Sequence, residues 1–433
     1  MKCWLSYFFS LLIVLVSLIS CQDEDEYIPP PVTIIVTPVN DQLFAFGDTL
    51  FIQARFSHFR NMATIKVSLV NSSLSPVLPA MNFDVFDTDY LLNTYLLLDD
   101  ISLSDGEYFI QLKIQDETSS WNEWIDVKYV SVDKQFISVV AVVSPQVNTY
   151  DVCEGAIEGN SLKLFSFSGD HCASGLNSAS NTFFTVGQSQ NGLTAWNLNT
   201  SQLLWNASVV FDPVQYWIHG FYDDENEVFV SNRNGFIEGY DILGRVSFRS
   251  QQFQNGFFTK ILRSTDKLLG IFEPYNSSFR ELVIFNYPGG TLFRSLQING
   301  EVLEMSNYSK DVVLLFVNQP ERALVYEYSL NSHTLVELKT FSFQNIRLVS
   351  GKNAEPYFIL TGDEVWWYRP LSNSSTLYLK RENIVGMAFE ELSNTLFVAS
   401  GQHILGYGLP NANPVFNVEL PSPVITFNLR YNK

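Results

Sequence analysis

A unit of roughly 40 residues recurs through the last two thirds of this chain of 433 residues. In each copy an apolar strand and a polar turn are followed by an apolar residue with an aromatic residue three positions further on. Seven copies of this second element are present, at Leu162/Phe165, Leu193/Trp196, Ile237/Tyr240, Leu282/Phe285, Val325/Tyr328, Val365/Tyr368 and Ile404/Tyr407. Their aromatic residues are 31, 44, 45, 43, 40 and 39 positions apart. Such a period is the signature of a repeat architecture.

Most of these spacings match the length of one blade of a β-propeller. The apolar strands that precede six of the copies are Phe183–Gly187, Glu227–Ser231, Lys267–Ile271, Val312–Phe316, Tyr357–Thr361 and Thr395–Ala399. Several copies have a further apolar element after them, so a unit supplies three or four strands. Residues 136–433 therefore predict a propeller of about seven blades, with six or eight still open. Either Val424–Tyr431 or Ile137–Val143 can complete the first blade and close the ring.

The best-formed copy, residues 191–205, has the sequence NGLTAWNLNTSQLLW. It resembles the repeat of quinoprotein-like propellers, whereas the Trp-Asp dipeptide of WD40 repeats is absent. The resemblance implies a quinoprotein-like or WD40-like scaffold and no particular member of the superfamily. Enzymes of the quinoprotein family need a calcium ion and a catalytic acid, and several carry adjacent cysteines, which this chain lacks. We therefore expect no cofactor and no catalytic residue carried over from that family.

The region before the repeat, residues 32–135, alternates apolar and polar residues with period two. Seven strands are predicted there, at Val32–Thr37, Thr49–Phe56, Thr64–Val70, Ser75–Phe83, Tyr90–Leu98, Gly106–Gln115 and Glu123–Val132. Seven short strands in about 100 residues favour an immunoglobulin-like sandwich. The predicted fold class is all-β, an Ig-like sandwich followed by a propeller.

The N-terminus carries a secretory leader. Lys2 precedes an uncharged, mostly apolar run from Trp4 to Ile19, which is short for a membrane-spanning helix. The four residues at the end of this run, Leu18–Cys21, resemble the bacterial lipobox, which implies a signal peptide over residues 1–20 and lipidation of Cys21. The alternatives are an uncleaved anchor and a plain cleavage site.

An acidic tract follows directly, at Gln22, Asp23, Glu24, Asp25 and Glu26, and leads into three prolines. The tract resembles the surface-export signal of Bacteroidetes-type lipoproteins, and a solvated spacer is the alternative. Residues 21–31 are thus expected to be a linker. The resemblance implies a protein held by its lipid in the outer membrane and facing the cell exterior.

The charge balance and the scattered histidines exclude two classes of function. With 26 basic and 45 acidic residues the chain has a formal net charge of −19, the wrong sign for a nucleic-acid binder. The five histidines show no ligand spacing, and the acid clusters lack the pattern of a calcium loop, so we expect no metal site.

Two cysteines, Cys153 and Cys172, remain beyond the lipidation site. In an exported protein the pair is expected to form a disulfide, with two buried free thiols as the alternative. Exposed aromatic groups suit sugars or peptides, and we single out Tyr216, Trp217, His219, Trp366 and Trp367 as candidate ligand-binding residues, with packing between blades as the alternative.

These observations predict a non-catalytic binding module for a protein partner or an extracellular ligand. Two alternatives are an extracellular glycan-degrading hydrolase or lyase and an outer-membrane assembly scaffold. Two or three convergent carboxyl groups with perturbed pKa values at the channel would favour the enzyme.

Overall fold

The computed structural model describes residues 32–57, 63–100, 103–115, 120–157, 159–188, 192–207, 217–224, 227–277, 279–351 and 356–432, with the backbone alone for 217–224. These residues form 36 strands and no helix. Accordingly, no helix in this part of the chain is long and apolar enough to cross a membrane. The chain divides into two compact units between Val132 and Asp133.

The first unit is a sandwich of two sheets. Its strands are β1 (Val32–Thr37), β2 (Gln42–Ala45), β3 (Thr49–Ser57), β4 (Ala63–Val70), β5 (Met81–Val85), β6 (Asp89–Leu97), β7 (Gly106–Gln115) and β8 (Ser120–Val130). One sheet has the order β1-β3-β6 and the other the order β2-β8-β7-β4-β5. Their facing side chains, among them Ile52, Val67 and Ile110, form one fully buried core.

The strand pattern predicted for this unit is largely confirmed, with two differences. The predicted strand Ser75–Phe83 lies at Met81–Val85 instead, because the preceding residues form a turn in which Asn71 Oδ1 accepts hydrogen bonds from the amides of Ser73 and Ser75. The short strand β2 was not predicted. It has only four residues and pairs in parallel with β8.

The second unit is a seven-bladed propeller, and each blade is a sheet of four strands. Blade 1 contains β9 (Phe136–Gln146), β10 (Thr149–Ala156), β11 (Ser161–Ser168) and the last strand, β36 (Val424–Tyr431). Blade 2 contains β12 (Ala173–Asn177), β13 (Thr182–Val186), β14 (Leu193–Asn197) and β15 (Gln202–Ala207). Blade 3 contains β16 (Trp217–Asp224), β17 (Glu227–Asn232), β18 (Ile237–Asp241) and β19 (Val246–Arg249).

The remaining four blades follow the same plan. Blade 4 contains β20 (Gly256–Ser264), β21 (Lys267–Pro274), β22 (Arg280–Asn286) and β23 (Leu292–Ile298). Blade 5 contains β24 (Glu301–Ser309), β25 (Val312–Gln319), β26 (Arg322–Ser329) and β27 (Leu335–Thr340). Blade 6 contains β28 (Ile346–Ser350), β29 (Tyr357–Thr361), β30 (Glu364–Arg369) and β31 (Ser374–Lys380). Blade 7 contains β32 (Ile384–Glu390), β33 (Thr395–Ser400), β34 (His403–Gly408) and β35 (Asn413–Glu419).

The two segments that were alternatives for completing the first blade, Val424–Tyr431 and Ile137–Val143, both belong to that blade. The last strand, β36, is the innermost strand of blade 1 and pairs antiparallel with β9. It also contacts β32 of blade 7 and β12 of blade 2. The innermost strands of successive blades contact one another, so the ring closes by joining the C-terminal strand to the first strands of the repeat.

The repeated aromatic residues pack between blades. In blades 2 to 7 the predicted apolar-aromatic pair lies on the third strand, and Phe285, Tyr328 and Tyr368 are fully buried there. The pair Leu162/Phe165 lies instead on β11, the fourth strand of blade 1, which explains why the first spacing is only 31 residues. A blade cannot cover its own two faces, so each one depends on its neighbours.

Candidate functional site

The innermost strands of the propeller line a central channel, and five of them are bulged at the same position. Each bulge adds one residue near the start of the innermost strand, opposite the equivalent point of the second strand. The extra residues are Thr259, Leu303, Arg347, Val385 and Ile425. A bulge disrupts the ladder locally and re-aims a side chain. We call these five residues the rim.

The rim combines apolar and cationic groups at one end of the channel. Val385 and Ile425 are each 43% exposed although they belong to innermost strands. Arg347 is exposed as well, and its guanidinium donates to the carbonyl oxygen of Gly362 at 2.9 Å and to that of Ile384 at 3.3 Å. Because neighbouring blades cover both faces of each sheet, this exposure is to the channel or its mouth.

A charged pair, Lys260 and Glu304, follows the rim into the channel. Each residue comes directly after a rim residue, on β20 of blade 4 and on β24 of blade 5, so the two occupy equivalent positions. Their Nζ and Oε2 atoms are 4.0 Å apart, and the side chains remain 37% and 42% exposed. Protein surrounds the pair, yet solvent in the channel reaches it.

The protein environment of Glu304 alters the pKa of its carboxyl group. Burial raises the pKa of Glu304, while Lys260 and the amide of Met305, which donates to Glu304 Oε1 at 3.2 Å, lower it in part. The carboxyl group therefore keeps its proton to a higher pH than usual, and can donate a hydrogen bond when protonated or accept one when ionised.

An open charged cleft of about 630 Å³ lies beside the rim at blade 6. Its walls include Asp363, Glu364, Lys380, Arg381 and Glu382. The Lys380 ammonium lies 2.5 Å from a Glu364 carboxylate oxygen, and this hydrogen bond lowers the pKa of Glu364. Arg347 reaches the same hairpin through Gly362, so the cleft extends the rim outward.

The structure brings only part of the predicted aromatic site to the channel. Trp217 and His219 lie on β16, the innermost strand of blade 3; their side chains are outside the description. Tyr216 lies outside the described residues. The segment thus borders the same channel as Lys260 and Glu304.

Trp366 and Trp367 are packing residues on β30, the third strand of blade 6. The two rings point to opposite faces of the sheet. Trp366 lies 5.2 Å from Phe343, and Trp367 is stacked at 6.4 Å on Phe358. The structure thus places both in the layers between blades and not at the rim.

The expectation of a disulfide between Cys153 and Cys172 is wrong, because both are free thiols. Cys153 is buried on β10 and packs toward blade 7 beside Val418. Cys172 precedes β12 and packs toward blade 3 beside Phe184. The two thiols lie in different layers because β11, the last strand of blade 1 before blade 2, ends between them, and Cys172 leads into blade 2.

Two further expectations concern ions and the anchor. Among the residues that the structure describes, no group of three or more His, Cys, Asp or Glu side chains is placed to hold a metal ion. Cys21, Gln22 and the acidic residues Asp23, Glu24, Asp25 and Glu26 lie outside the described residues.

Sequence reasoning missed the rim and the channel pair. A signal was present, since Lys260 and Glu304 are 44 residues apart, which is one blade, and each interrupts an apolar innermost strand. Only the pairing register shows that each follows a bulge, and a bulge leaves no distinct mark in the composition.

Comparisons with known proteins concern the fold. No family model matches the chain, and no curated protein matches it. Similar solved structures include a quinoprotein alcohol dehydrogenase-like protein from Bacteroides thetaiotaomicron, with a TM-score of 0.49 and 11% identity, covering 93% of this chain and 99% of that one. The computationally designed Ika8 protein has a TM-score of 0.48 and 13% identity, covering 68% and 91%. The Dos1 propeller has a TM-score of 0.45 and 12% identity, covering 68% and 88%.

Proposed function

We propose that this chain is a surface-exposed outer-membrane lipoprotein whose propeller binds a protein partner or another extracellular ligand without catalysis. The rim carries the proposal. It presents exposed Val385 and Ile425 next to the exposed cation Arg347 at one end of the channel. Apolar surface with a few placed polar groups is typical of a binding site, and loops and strand ends on a rigid scaffold are where such sites occur.

The chemistry of the rim favours a protein segment as ligand. The branched aliphatic side chains of Val385 and Ile425 pack better against apolar groups than against a polar sugar. Arg347 can donate hydrogen bonds to a carboxylate or a carbonyl oxygen. Lys260 and Glu304 lie behind them, so a side chain inserted into the channel would meet a group of either charge.

The sandwich is proposed as an Ig-like spacer. Its two sheets and strand order fit that class, with β7 between β8 and β4. Tyr108, near the start of β7, donates its hydroxyl to the carbonyl oxygen of Ser104 at 2.9 Å. A tyrosine bonded to the backbone a few residues upstream at this place is a hallmark of Ig-like sandwiches.

Attachment at Cys21 is the second part of the proposal, supported by the lipobox-like sequence Leu18–Cys21 and the acidic residues after it. Cys21→Ser should release the protein from membranes, measured by fractionation, and unchanged retention would contradict lipidation. Replacing Asp23 to Glu26 by alanine should make the protein inaccessible to protease added to whole cells. Persistent cleavage would contradict surface export.

Binding at the rim is tested by crosslinking on whole cells. The double variant V385D/I425D should lose its crosslinked partner, because two carboxylates would enter the apolar contact. The matched control V246D changes an exposed valine on β19, the outermost strand of blade 3, and should keep the partner. Equal crosslinking by both variants would contradict binding at the rim.

The two alternatives give different results in the same preparation. A glycan hydrolase or lyase would release sugar ends from a polysaccharide panel, and E304Q would abolish that release. An assembly scaffold would co-purify with a partner at fixed stoichiometry in the absence of any ligand.

A further inference from the structure

One face of the sandwich departs from the alternation of buried and polar residues. The outward side chains of the three-stranded sheet include seven large apolar groups with between 46% and 62% of their surface exposed. These residues, which we call the apolar face, are Val32, Ile34, Val36, Phe51, Leu91, Tyr95 and Leu97. They come from all three strands of the sheet. Large apolar side chains exposed in this number on one face mark an interaction site.

The other sheet of the same unit shows what an ordinary solvent-facing surface looks like here. Its outward positions include five charged residues, Lys66, Glu107, Lys113, Asp126 and Lys128, beside the exposed apolar groups Leu43, Trp124 and Val130. Lys66 pairs with Lys113 and Glu107 with Lys128 across neighbouring strands. By contrast, the outward side chains of the three-stranded sheet include only two ionisable groups other than tyrosine, Arg55 and Asp89.

The pairing register shows how the apolar face is arranged. Phe51 is opposite Tyr95, with ring centroids 6.3 Å apart, and Arg55 lies between Ile34 and Leu91 in one row across the sheet. Asp89 is at the margin, opposite Ser57. A neutral polar row, Thr37, Gln53 and Asn93, separates the row of Arg55 from the pair of Phe51 and Tyr95. Away from its margin the face therefore has one cation and no carboxylate, in a chain whose net charge is −19.

The chain that precedes the sandwich limits what can cover this face. Val32 begins β1, which is an edge strand of this sheet, and Cys21 lies 11 residues earlier. An extended chain spans at most about 3.6 Å per residue, so a lipid on Cys21 holds this end of the sheet within roughly 40 Å of the bilayer. A membrane is then present at high local concentration throughout the life of the protein.

We propose that the apolar face docks on the lipid surface to which the chain is tethered. This inference rests in part on the lipidation proposed above. Phe51 and Tyr95 enter the interfacial region, where aromatic rings are enriched, and Arg55 meets anionic head groups. Tether and face act as two weak signals that together hold the sandwich in one orientation on the membrane.

The test separates docking from natural lipidation by attaching the chain chemically. The chain from Cys21 onward is coupled through the Cys21 thiol to maleimide-bearing lipid in vesicles of phosphatidylcholine and phosphatidylglycerol. Burial raises the pKa of Cys153 to about 11 and that of Cys172 to about 12, so both react slowly at neutral pH. Hydroxyl-radical footprinting with mass spectrometry then compares tethered and free protein residue by residue.

Tethering should lower the oxidation rate of Phe51 and Tyr95 at least threefold. Leu43, which is 63% exposed on β2 in the other sheet, should keep its rate. The variant F51D should lose the protection at Tyr95, whereas the matched variant L43D should keep it. Circular dichroism of both variants checks that they are folded.

Two results would overturn the proposal. Equal oxidation of Tyr95 in tethered and free protein would show that the face stays in solvent. Protection without vesicles that grows with protein concentration would show that a second copy of the chain covers it. Loss of natural acylation at Cys21 would leave this experiment unaffected, so failure of the anchor and failure of docking are distinguishable.

Discussion

Arg430 on the last strand donates to the Glu154 carboxylate on β10, with Nη1 2.7 Å from Oε1, across 276 positions of sequence. The same guanidinium donates to the side-chain oxygens of Asn181 and Asn199 in blade 2. Ser138 adds a hydrogen bond to Glu154. One side chain thus joins the C-terminal strand to two blades at the point where the ring closes.

Replacing Arg430 by methionine should destabilise the propeller by about 3 kcal/mol, because Glu154 would lose its partner while it stays largely covered. The free energy of unfolding in urea measures the change. The control R245M removes an ion pair within one hairpin of blade 3, where Arg245 is 73% exposed, and should cost less than about 1 kcal/mol. Equal losses in the two variants would show that Arg430 has no special role in closure.

Glu304 should make the folded protein less stable as pH rises. Its pKa is raised in the folded protein, so the folded state holds the proton more tightly and loses stability as pH rises from the ordinary glutamate range through the folded pKa. E304Q should remove this loss and gain stability relative to the natural chain as pH rises. Unfolding in urea from pH 4 to 8 tests this, and an E304Q profile parallel to that of the natural chain would contradict it.

His171 should make the stability of the folded protein depend on pH in the opposite direction to Glu304. Its ring lies between Tyr150 at 5.3 Å and Phe167 at 5.6 Å, and neither ring nitrogen has a partner among the described residues. Burial lowers the pKa of His171 to about 4. The unfolded chain therefore binds the proton first, and stability falls as pH drops from 6.5 toward 4 by up to about 3 kcal/mol.

The variant H171F tests that prediction. It should remove this share of the acid-induced loss while leaving stability near pH 8 within about 1 kcal/mol of the natural chain. A profile parallel to that of the natural chain between pH 7 and 4.5 would contradict a neutral buried imidazole.

The two propeller cysteines should both be available as thiols once the protein is unfolded. Alkylation in guanidinium without reductant should modify Cys153 and Cys172, as found by peptide mass spectrometry. In the folded protein at pH 7 both should react far more slowly, since burial raises both pKa values. If the two alkylated peptides appeared only after reduction, the two cysteines would be bonded to each other, and the prediction of free thiols would be contradicted.

Much of the architecture could be predicted because it is local. Alternation along β1 and β7 gave their bounds, and the six apolar strands before the repeated pairs coincide with the second strands of blades 2 to 7. The prediction failed where turns decide the outcome. The bonds from Asn71 displaced β5, and the first aromatic pair lay one strand further out than expected.

The sequence by itself determined the period, the approximate number of blades and the aromatic packing between them, because each depends on residues close together in the chain. Only the tertiary structure decided how the ring closes, which layer receives each cysteine, that Lys260 meets Glu304, and that one sheet of the sandwich has an exposed apolar face. Those relationships depend on which strands become neighbours and on the register of their pairing. A bulge of a single residue changes where a side chain points without altering the pattern of apolar residues that specified the strand.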